Sequence, residues 1–307
     1  MSTRAENIPS SHPLRSLVRA LRPHHWLKNC VVFAALIFAK RFADPDSVFD
    51  AALTFGLFCA ISSAVYLIND LLDIQADRCH PVKSLRPIAS GEVSRATAVS
   101  TAVVLAAGAL GGAWLLSQPV AAVLLVYLLM NLAYSLWLKR VVILDVMVLA
   151  AGFLLRAVAG GLVLQVEISS WLILCATLLS LFLGFCKRRN ELVVLEEGAG
   201  DHRFILREYS LPFLDQLISV VTASTLVAYC FYTLSPEVQA KLGTSALPLT
   251  IPFVLYGIFR YLYLVYQRSE GGSPTRVFYT DRPLLIDVAL WALTAILALG
   301  GKLGTGV

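Results

Sequence analysis

The chain has 307 residues, of which 58% are hydrophobic and 15% are charged, and its mean hydropathy is +0.74. These values exclude an ordinary soluble domain and are typical of a polytopic membrane protein. The net charge of +5 is modest and no basic run alternates with aromatic residues, so we expect no nucleic-acid partner. The six cysteines form no CxxC pair, so neither a zinc site nor a disulfide framework is predicted.

The first predicted element is an amphipathic helix. Residues 1–12 are polar, and from Leu14 onward apolar residues share one helical face while arginines occupy the other, up to Pro23. This pattern is typical of a basic helix that lies on an anionic leaflet. We therefore assign residues 1–26 to an N-terminal tail with an interfacial helix, and residues 27–307 to a single transmembrane domain.

Nine apolar runs follow, each near the ~20 residues that a spanning helix requires. They lack the alternation of strands, and an open sheet cannot cross a bilayer. The fold class is therefore all-α, a bundle of about nine transmembrane helices. Lys and Arg concentrate in every second loop, which predicts a cytoplasmic N-terminus and an external C-terminus. The runs are 27–43, 47–69, 95–116, 119–138, 141–164, 169–186, 213–234, 247–267 and 283–302.

The most polar stretch follows the second run and lies on the predicted cytoplasmic side. If the helix continues, Asp70, Asp73 and Asp77 fall within about 60° of one another on one face. Carboxylates suit Mg²⁺, and the basic Lys83 and Arg86 just downstream suit phosphate oxygens. A solvated acidic helix end is the alternative. Because the stretch directly follows a membrane-length run, we favour a metal–phosphate site.

A second polar centre follows the sixth run and begins with Lys187, Arg188, Arg189 and Glu191. The alternative interpretation is flanking charge of the positive-inside kind, with Lys187 and Glu191 as an ordinary i,i+4 pair. A four-helix repeat would bring this centre and the acidic stretch to one end of a bundle. The centre continues with Glu196, Glu197, Asp201, His202 and Arg203.

Between the two centres, the fifth predicted helix carries Asp145 near its start and Arg156 deeper inside, on the same face. These two residues are about 16 Å apart at helical rise, so they cannot pair directly. A buried arginine in a spanning helix is expected to face a cavity or an anionic partner. Gly160 and Gly161 are expected to permit the close approach of another helix.

The motif Asn69-Asp70-x-x-Asp73-x-x-x-Asp77 after the second helix resembles the UbiA superfamily of intramembrane prenyltransferases. Ordinary members carry a second aspartate-rich motif after helix six, whereas this sequence is basic there. Further motifs resemble the branch that transfers phosphoribose to a polyprenyl phosphate: Arg22-Pro23-x-x-Trp26-x-Lys28-Asn29, Asp77-Arg78-x-His80-Pro81-x-Lys83-x-x-Arg86-Pro87-Ile88-Ala89-x-Gly91, Tyr134-Ser135-x-x-Leu138-Lys139, and Lys187-Arg188 with Glu191-Leu192.

The resemblance implies an enzyme that moves 5-phosphoribose from phosphoribosyl pyrophosphate to a polyprenyl (decaprenyl) phosphate and releases pyrophosphate. The product would be a lipid-linked pentose precursor of the cell wall. Asp70, Asp73 and Asp77 are the implied Mg²⁺ ligands, and Tyr134 and Lys139 are expected to orient the reactants. The implied substrate-binding residues are Lys28, Asn69, Lys83, Arg86, Asp145, Arg156, Lys187, Arg188, Arg189, Glu191 and Arg203.

The expected location is a bacterial inner (plasma) membrane, with the site on the cytoplasmic face. The expected partners are phosphoribosyl pyrophosphate, polyprenyl phosphate and the bilayer; a homo-oligomer is compatible with the sequence. One alternative is a prenyltransferase that joins a prenyl diphosphate to an aromatic or other small acceptor. A non-enzymatic transporter or lipid-binding protein is the other. Against a transporter, the charged groups lie on one side and not at the membrane midplane.

Overall fold

The computed structural model describes residues 13–79, 82–196, 204–268, 271–272, 277 and 280–300. All regular secondary structure in these residues is helical, which confirms the all-α prediction. Short 3₁₀ helices occupy Pro23–Phe33, Lys83–Leu85, Leu138–Arg140, Phe204–Glu208 and Leu247–Thr250. The α-helices are α1 (Pro13–Leu21), α2 (Ala34–Phe38), α3 (Pro45–Leu72), α4 (Ile74–Arg78), α5 (Arg95–Leu116), α6 (Gln118–Leu136), α7 (Leu144–Val163), α8 (Ser170–Glu196), α9 (Leu211–Leu234), α10 (Pro236–Leu242), α11 (Ile251–Gln267) and α12 (Arg282–Leu299).

Eight helices in the described part of the chain are long and apolar enough to cross a membrane. They are α3, α5, α6, α7, α8, α9, α11 with the 3₁₀ turn before it, and α12. The prediction of nine helical spans is not confirmed, because residues 27–43 contain a 3₁₀ helix and then only the five residues of α2. Buried Asn29 lies in this 3₁₀ segment and donates hydrogen bonds to Cys59 Sγ and Ser62 Oγ, both at 3.3 Å.

The chain divides into two compact units. The first contains residues 13–30 and 52–136 of the described chain, and its apolar core joins α1, the C-terminal half of α3, α4 and α5. Ala20, Ala64 and Ala98 are almost fully buried there, so small side chains let these helices pack closely. Their close packing fixes the C-terminal end of α3, where the acidic motif begins.

The second unit contains residues 31–51 and 137–300, with its main core between α7, α8, α9 and α11. The rings of Phe182 and Tyr261 meet edge to face at 5.5 Å in this core. A Cβ atom at Gly160 would overlap the carbonyl oxygen of Val32, so the close approach expected at Gly160 is present. Here, however, α7 is approached by the chain leading into α2 and not by another long helix.

Candidate active site

The first polar cluster lies in the first unit, where α3 ends. The side chains of Asp70 and Asp77 are buried, at 2% and 3% exposure for the two residues. One guanidinium nitrogen of Arg86 lies 3.0 Å from Asp70 Oδ1 and 2.6 Å from Asp77 Oδ2. A guanidinium nitrogen of Arg22 lies 2.5 Å from Asp70 Oδ1. Two buried carboxylates and two arginines therefore form one charge-balanced cluster.

The local backbone explains why these two aspartates meet. Helix α3 ends at Leu72 and α4 begins at Ile74, yet the backbone N–H of Asp77 donates to the carbonyl of Asp73 at 2.8 Å. The near-helical spacing carries across this break, so residues seven apart stay on one face, as predicted for Asp70 and Asp77. Asp73 sits at the break itself and is partly exposed.

The donor set fits a magnesium ion, which usually takes one or two carboxylates and completes its shell with water and substrate phosphate oxygens. Asp70 and Asp77 each place an oxygen within 3.0 Å of the same Arg86 nitrogen. The two carboxylates can therefore contact one positively charged group at the same time. Among the described residues, no group of three His, Cys, Asp or Glu side chains could hold a metal ion, and the site of three aspartates stays a prediction.

The second polar cluster lies in the second unit and joins α7, α8 and Tyr209, which lies between a 3₁₀ turn and α9. Asp145 and Arg188 are almost fully buried, and Arg188 Nε lies 2.6 Å from Asp145 Oδ2. Arg188 also donates to Glu191 Oε2 at 2.6 Å. The hydroxyl of Tyr209 donates to Asp145 Oδ1 at 2.8 Å, so both oxygens of this buried carboxylate are used.

Tyr209 also supports a strained backbone position. Ile143, which precedes α7, has φ of +69°, a conformation that β-branched residues rarely adopt. Its N–H donates to the Tyr209 hydroxyl oxygen at 2.7 Å. Burial raises the pKa of Tyr209, so the hydroxyl keeps its proton and remains a donor to Asp145. The tyrosine thus ties the start of α7 to the Asp145–Arg188 pair.

The three cations of the basic run do not all contact the same carboxylate: Lys187 and Arg188 share Glu191, and Arg189 contacts Asp215. Arg189 Nε lies 2.6 Å from Asp215 Oδ1, and its guanidinium stacks over the Tyr266 ring at 4.1 Å. Lys187 Nζ lies 3.8 Å from a Glu191 oxygen, the i,i+4 pair considered from the sequence. The run is therefore more than a flanking charge signal, because Arg188 and Arg189 bridge different helices of the second unit.

The remaining candidates fall in several places. Asp145 and Arg156 share the buried face of α7, as predicted, and Arg156 donates to the carbonyl of Gly152 on the same face at 2.6 Å. Asn69 accepts a hydrogen bond from Ser135 at 3.2 Å. Tyr134 lies near the end of α6, and Lys28, Lys83 and Lys139 lie in 3₁₀ helices. Outside the described residues are His80, Pro81, Glu197, Asp201, His202 and Arg203.

The sequence did not assign two residues that the structure places in these clusters. Arg22 was assigned to the polar face of the interfacial helix, although it belongs to the quoted Arg22-Pro23 motif. Tyr209 carries no sequence signal that distinguishes it from other tyrosines at helix ends. Both act across long sequence separations, which periodicity alone does not report.

Together, the fold and these clusters define a polytopic helical membrane protein with buried acid–arginine networks at helix ends. The family model described as "UbiA prenyltransferase family" matches residues 30–282. This chain belongs to the UbiA prenyltransferase family, as the motif resemblance indicated, and is therefore a membrane-embedded transferase.

Relatives and solved structures agree with that assignment. The chain is 33% identical over 298 residues to decaprenyl-phosphate phosphoribosyltransferase of Mycobacterium tuberculosis, covering 96% of this chain and 97% of that protein. It is 32% identical over 298 residues to the enzyme of the same name from Corynebacterium glutamicum, covering 94% and 88%. A UbiA homologue from Archaeoglobus fulgidus, bound to GPP and Mg²⁺, has the same fold, with a TM-score of 0.69, 19% identity, and coverage of 93% and 99%.

Proposed function

We propose that this protein transfers 5-phosphoribose from phosphoribosyl pyrophosphate to a polyprenyl phosphate and releases pyrophosphate. The observation that carries the proposal is the similarity to decaprenyl-phosphate phosphoribosyltransferases at 33% identity over 96% of the chain. That name supplies the transferred group and the acceptor. The donor follows from chemistry, because pyrophosphate on the anomeric carbon is a good leaving group for a phosphoribosyl unit.

The reaction exchanges one bond at the anomeric carbon of ribose. The bond to the pyrophosphate oxygen breaks, and a bond to an oxygen of the lipid phosphate forms. The acceptor is already an anion, so no general base has to remove a proton. The main difficulty is electrostatic, because a leaving pyrophosphate, a 5-phosphate and a lipid phosphate converge. Preorganised positive charge is therefore the largest catalytic contribution to expect.

The first cluster supports the role of binding the leaving group. Asp70 and Asp77 would hold Mg²⁺, with the partly exposed Asp73 as a further ligand; when bound, the ion neutralises the developing charge on pyrophosphate. Arg86 already contacts both carboxylates and can donate in pairs to phosphate oxygens. Lys83, Lys28 and Asn69 remain proposed contacts of the same region.

The second cluster supports a different role for the basic run from the one the sequence suggested. Arg188 is buried and its guanidinium is held by Asp145 and Glu191, so we assign it to positioning. Lys187 has 37% of its side chain exposed and remains a candidate for direct phosphate contact, together with Lys139. Tyr134 is proposed to orient the ribose, while Arg156, Arg189 and Arg203 remain proposed substrate-binding residues.

The site is proposed to face the cytoplasm of a cell with a plasma (inner) membrane, because phosphoribosyl pyrophosphate is a soluble, highly charged donor. The polyprenyl tail would stay in the bilayer. The competing function is prenyl transfer from a prenyl diphosphate to a small acceptor. Against it, the C-terminal part of α8 carries Lys187, Arg188 and Arg189 in place of the acidic residues that would bind a second metal ion.

The test uses membranes that contain the protein, radiolabelled phosphoribosyl pyrophosphate and polyprenyl phosphates of several lengths. We expect labelled lipid and an equal amount of released pyrophosphate, both abolished in Asp70→Asn. Parallel reactions supply a prenyl diphosphate with an aromatic acid. Product from this second pair and none from phosphoribosyl pyrophosphate would establish prenyl transfer instead. The length of the best acceptor is read from the same experiment.

A further inference from the structure

Arg22 holds an unusual position in the first unit. It lies between the end of α1 and Pro23, with φ of +55°, a left-handed conformation that costs free energy for any residue except glycine. A following proline restricts the backbone further. This strained backbone nevertheless directs the guanidinium onto Asp70, at 2.5 Å. Strain of this kind persists only where the surrounding structure enforces it, and it often marks a functional residue.

Several contacts enforce the position of Arg22. Ser63 on α3 donates to the carbonyl of Leu21 at 3.1 Å, which fixes the end of α1. The guanidinium carbon of Arg22 lies 5.1 Å from the centre of the Tyr66 ring. Farther up α1, Arg19 donates to Glu92 at 2.6 Å, which anchors the helix to the loop before α5. The arginine is therefore placed by the fold and not by solvent charge alone.

We propose that Arg22 substitutes for the divalent cation in the free protein and exchanges partners when the donor binds. In the free protein its guanidinium neutralises Asp70. When a divalent cation arrives with a pyrophosphate group, Asp70 binds the cation and Arg22 donates to the pyrophosphate oxygens. This inference rests on the proposed function, because it requires a site for a cation and a pyrophosphate group.

Charge balance gives the physical reason for the exchange. The carboxylates of Asp70 and Asp77 carry two negative charges, and Arg22 and Arg86 carry two positive ones. A divalent cation that entered alone would leave this cluster with an excess of two positive charges in a buried place, which is costly. A cation that enters with pyrophosphate brings its own negative charge. Cation and pyrophosphate must therefore strengthen each other's binding, and by linkage the effect is reciprocal.

Arg22 is better suited than Arg86 to move. Arg86 bridges both carboxylates through one nitrogen, whereas Arg22 contacts one of the two, Asp70. Release of Arg22 from Asp70 can also relax its left-handed backbone. Arg86 is thus expected to stay near the carboxylates, while Arg22 changes partner.

The test measures binding and not turnover. Mn²⁺ is the probe, since it prefers the same oxygen ligands as Mg²⁺ and its free form is counted by electron paramagnetic resonance. Purified protein in nanodiscs is titrated with Mn²⁺, alone and with inorganic pyrophosphate. For the wild type we expect at least tenfold tighter Mn²⁺ binding with pyrophosphate. In Arg22→Gln, Mn²⁺ alone should bind about 10- to 150-fold tighter, the range for one charge-assisted hydrogen bond, and the gain from pyrophosphate should shrink.

Arg15→Gln is the matched control, because Arg15 lies exposed on the same helix and should leave both titrations unchanged. Arg22→Lys keeps the charge but loses the planar guanidinium, so its affinity for Mn²⁺ alone should lie between those of the wild type and Arg22→Gln. This variant serves as the test if Arg22→Gln fails to fold. Unchanged or weaker binding of Mn²⁺ alone in the Arg22 variant would overturn the proposal.

The outcomes separate this inference from the proposed function. If the wild type shows the Mn²⁺ and pyrophosphate coupling but forms no labelled lipid from phosphoribosyl pyrophosphate, the transfer reaction is wrong and the exchange stands. If labelled lipid forms and the Arg22 variant binds Mn²⁺ as the wild type does, the exchange is wrong and the transfer stands.

Discussion

The buried pair of Asp145 and Arg188 gives the most decisive test of the second cluster. Their side chains are 0% and 1% exposed, and Arg188 Nε lies 2.6 Å from Asp145 Oδ2. The substitution Asp145→Asn keeps the size and an acceptor oxygen but removes the charge. Arg188 would stay buried without the Asp145 charge, while its contact with Glu191 would remain.

The expected magnitude follows from burial. Breaking a buried ion pair by removing one charged partner costs about 3–5 kcal/mol, because the other charge stays desolvated. Tyr209→Phe removes the hydroxyl that donates to Asp145 and accepts from Ile143, two hydrogen bonds of about 1 kcal/mol each. We therefore expect Asp145→Asn to lower the free energy of unfolding by about 3–5 kcal/mol, and Tyr209→Phe by about 2 kcal/mol.

The assay is reversible unfolding in mixed micelles, followed by circular dichroism. Arg19→Gln is the matched control, because Arg19 pairs with Glu92 at the same 2.6 Å but with 54% of its side chain exposed. Exposed ion pairs contribute about 0–1 kcal/mol, so the free energy of unfolding of this control variant should differ little from that of the wild type. The double variant Asp145→Leu with Arg188→Leu replaces both charges by apolar groups and should be more stable than Asp145→Asn. A loss in Asp145→Asn no larger than in the control would refute the assignment of a structural buried pair.

Three further predictions concern the first cluster, the topology and α12. Asp70→Asn and Asp77→Asn should each reduce product formation at least 100-fold while folded protein remains in the membrane, and a chelator should do the same; full activity in EDTA would remove the metal from the reaction. In a cysteine-free background, a cysteine at Ser94 should react with an impermeant reagent only from the cytoplasmic side, and one at Ser245 only from outside. The hydrogen bonds from Arg260 hold the pKa of Asp281 below its usual range, so this pair should stabilise the fold above the unfolded pKa of about 3.9 and lose its effect as the pH falls through the folded value. Asp281→Asn keeps an N-cap side chain for α12 and should lower the free energy of unfolding by about 0.5–1 kcal/mol at pH 7, and by less below pH 4. An equal loss at both pH values would contradict the ion pair.

Hydropathy predicted the long helices well because the bilayer makes the same demand on each of them. A run such as 119–138 must satisfy its backbone internally, and α6 over Gln118–Leu136 does so. The sequence also predicted that Asp70 and Asp77 lie on one helical face, because residues seven apart do so even across the break at Asp73. Local periodicity was sufficient for these features.

The ion-pair partners of the charged residues could not be predicted from the sequence. The sequence showed Lys187, Arg188 and Arg189 as one basic run, yet their side chains leave the helix in different directions. Arg188 meets Asp145 43 positions earlier, and Arg189 meets Asp215 26 positions later. Such pairings depend on how α7, α8 and α9 pack, which single-sequence periodicity does not contain. The same limitation hid Arg22, whose partner Asp70 lies 48 positions away.

We propose that the 3₁₀ segment before α3, together with α2, forms a ninth crossing in addition to the eight long helices. Arg22 is bonded to Asp70 near the C-terminal end of α3, and the chain must reach Pro45 at the N-terminal end of the same helix. The 11 residues of Pro23–Phe33 rise by about 22 Å at 2.0 Å each, and the five residues of α2 add about 7 Å. Their sum approaches the ~30 Å hydrocarbon core with fewer residues than an α-helix needs. Hydropathy does not distinguish a 3₁₀ helix from an α-helix, so the sequence predicted an α-helical crossing at residues 27–43, where the structure has a 3₁₀ helix followed by the short α2. Cysteines at the exposed positions Arg15 and Ser94 should be labelled from the same side, because this crossing and α3 would both lie between them. Labelling from opposite sides would contradict the proposed crossing.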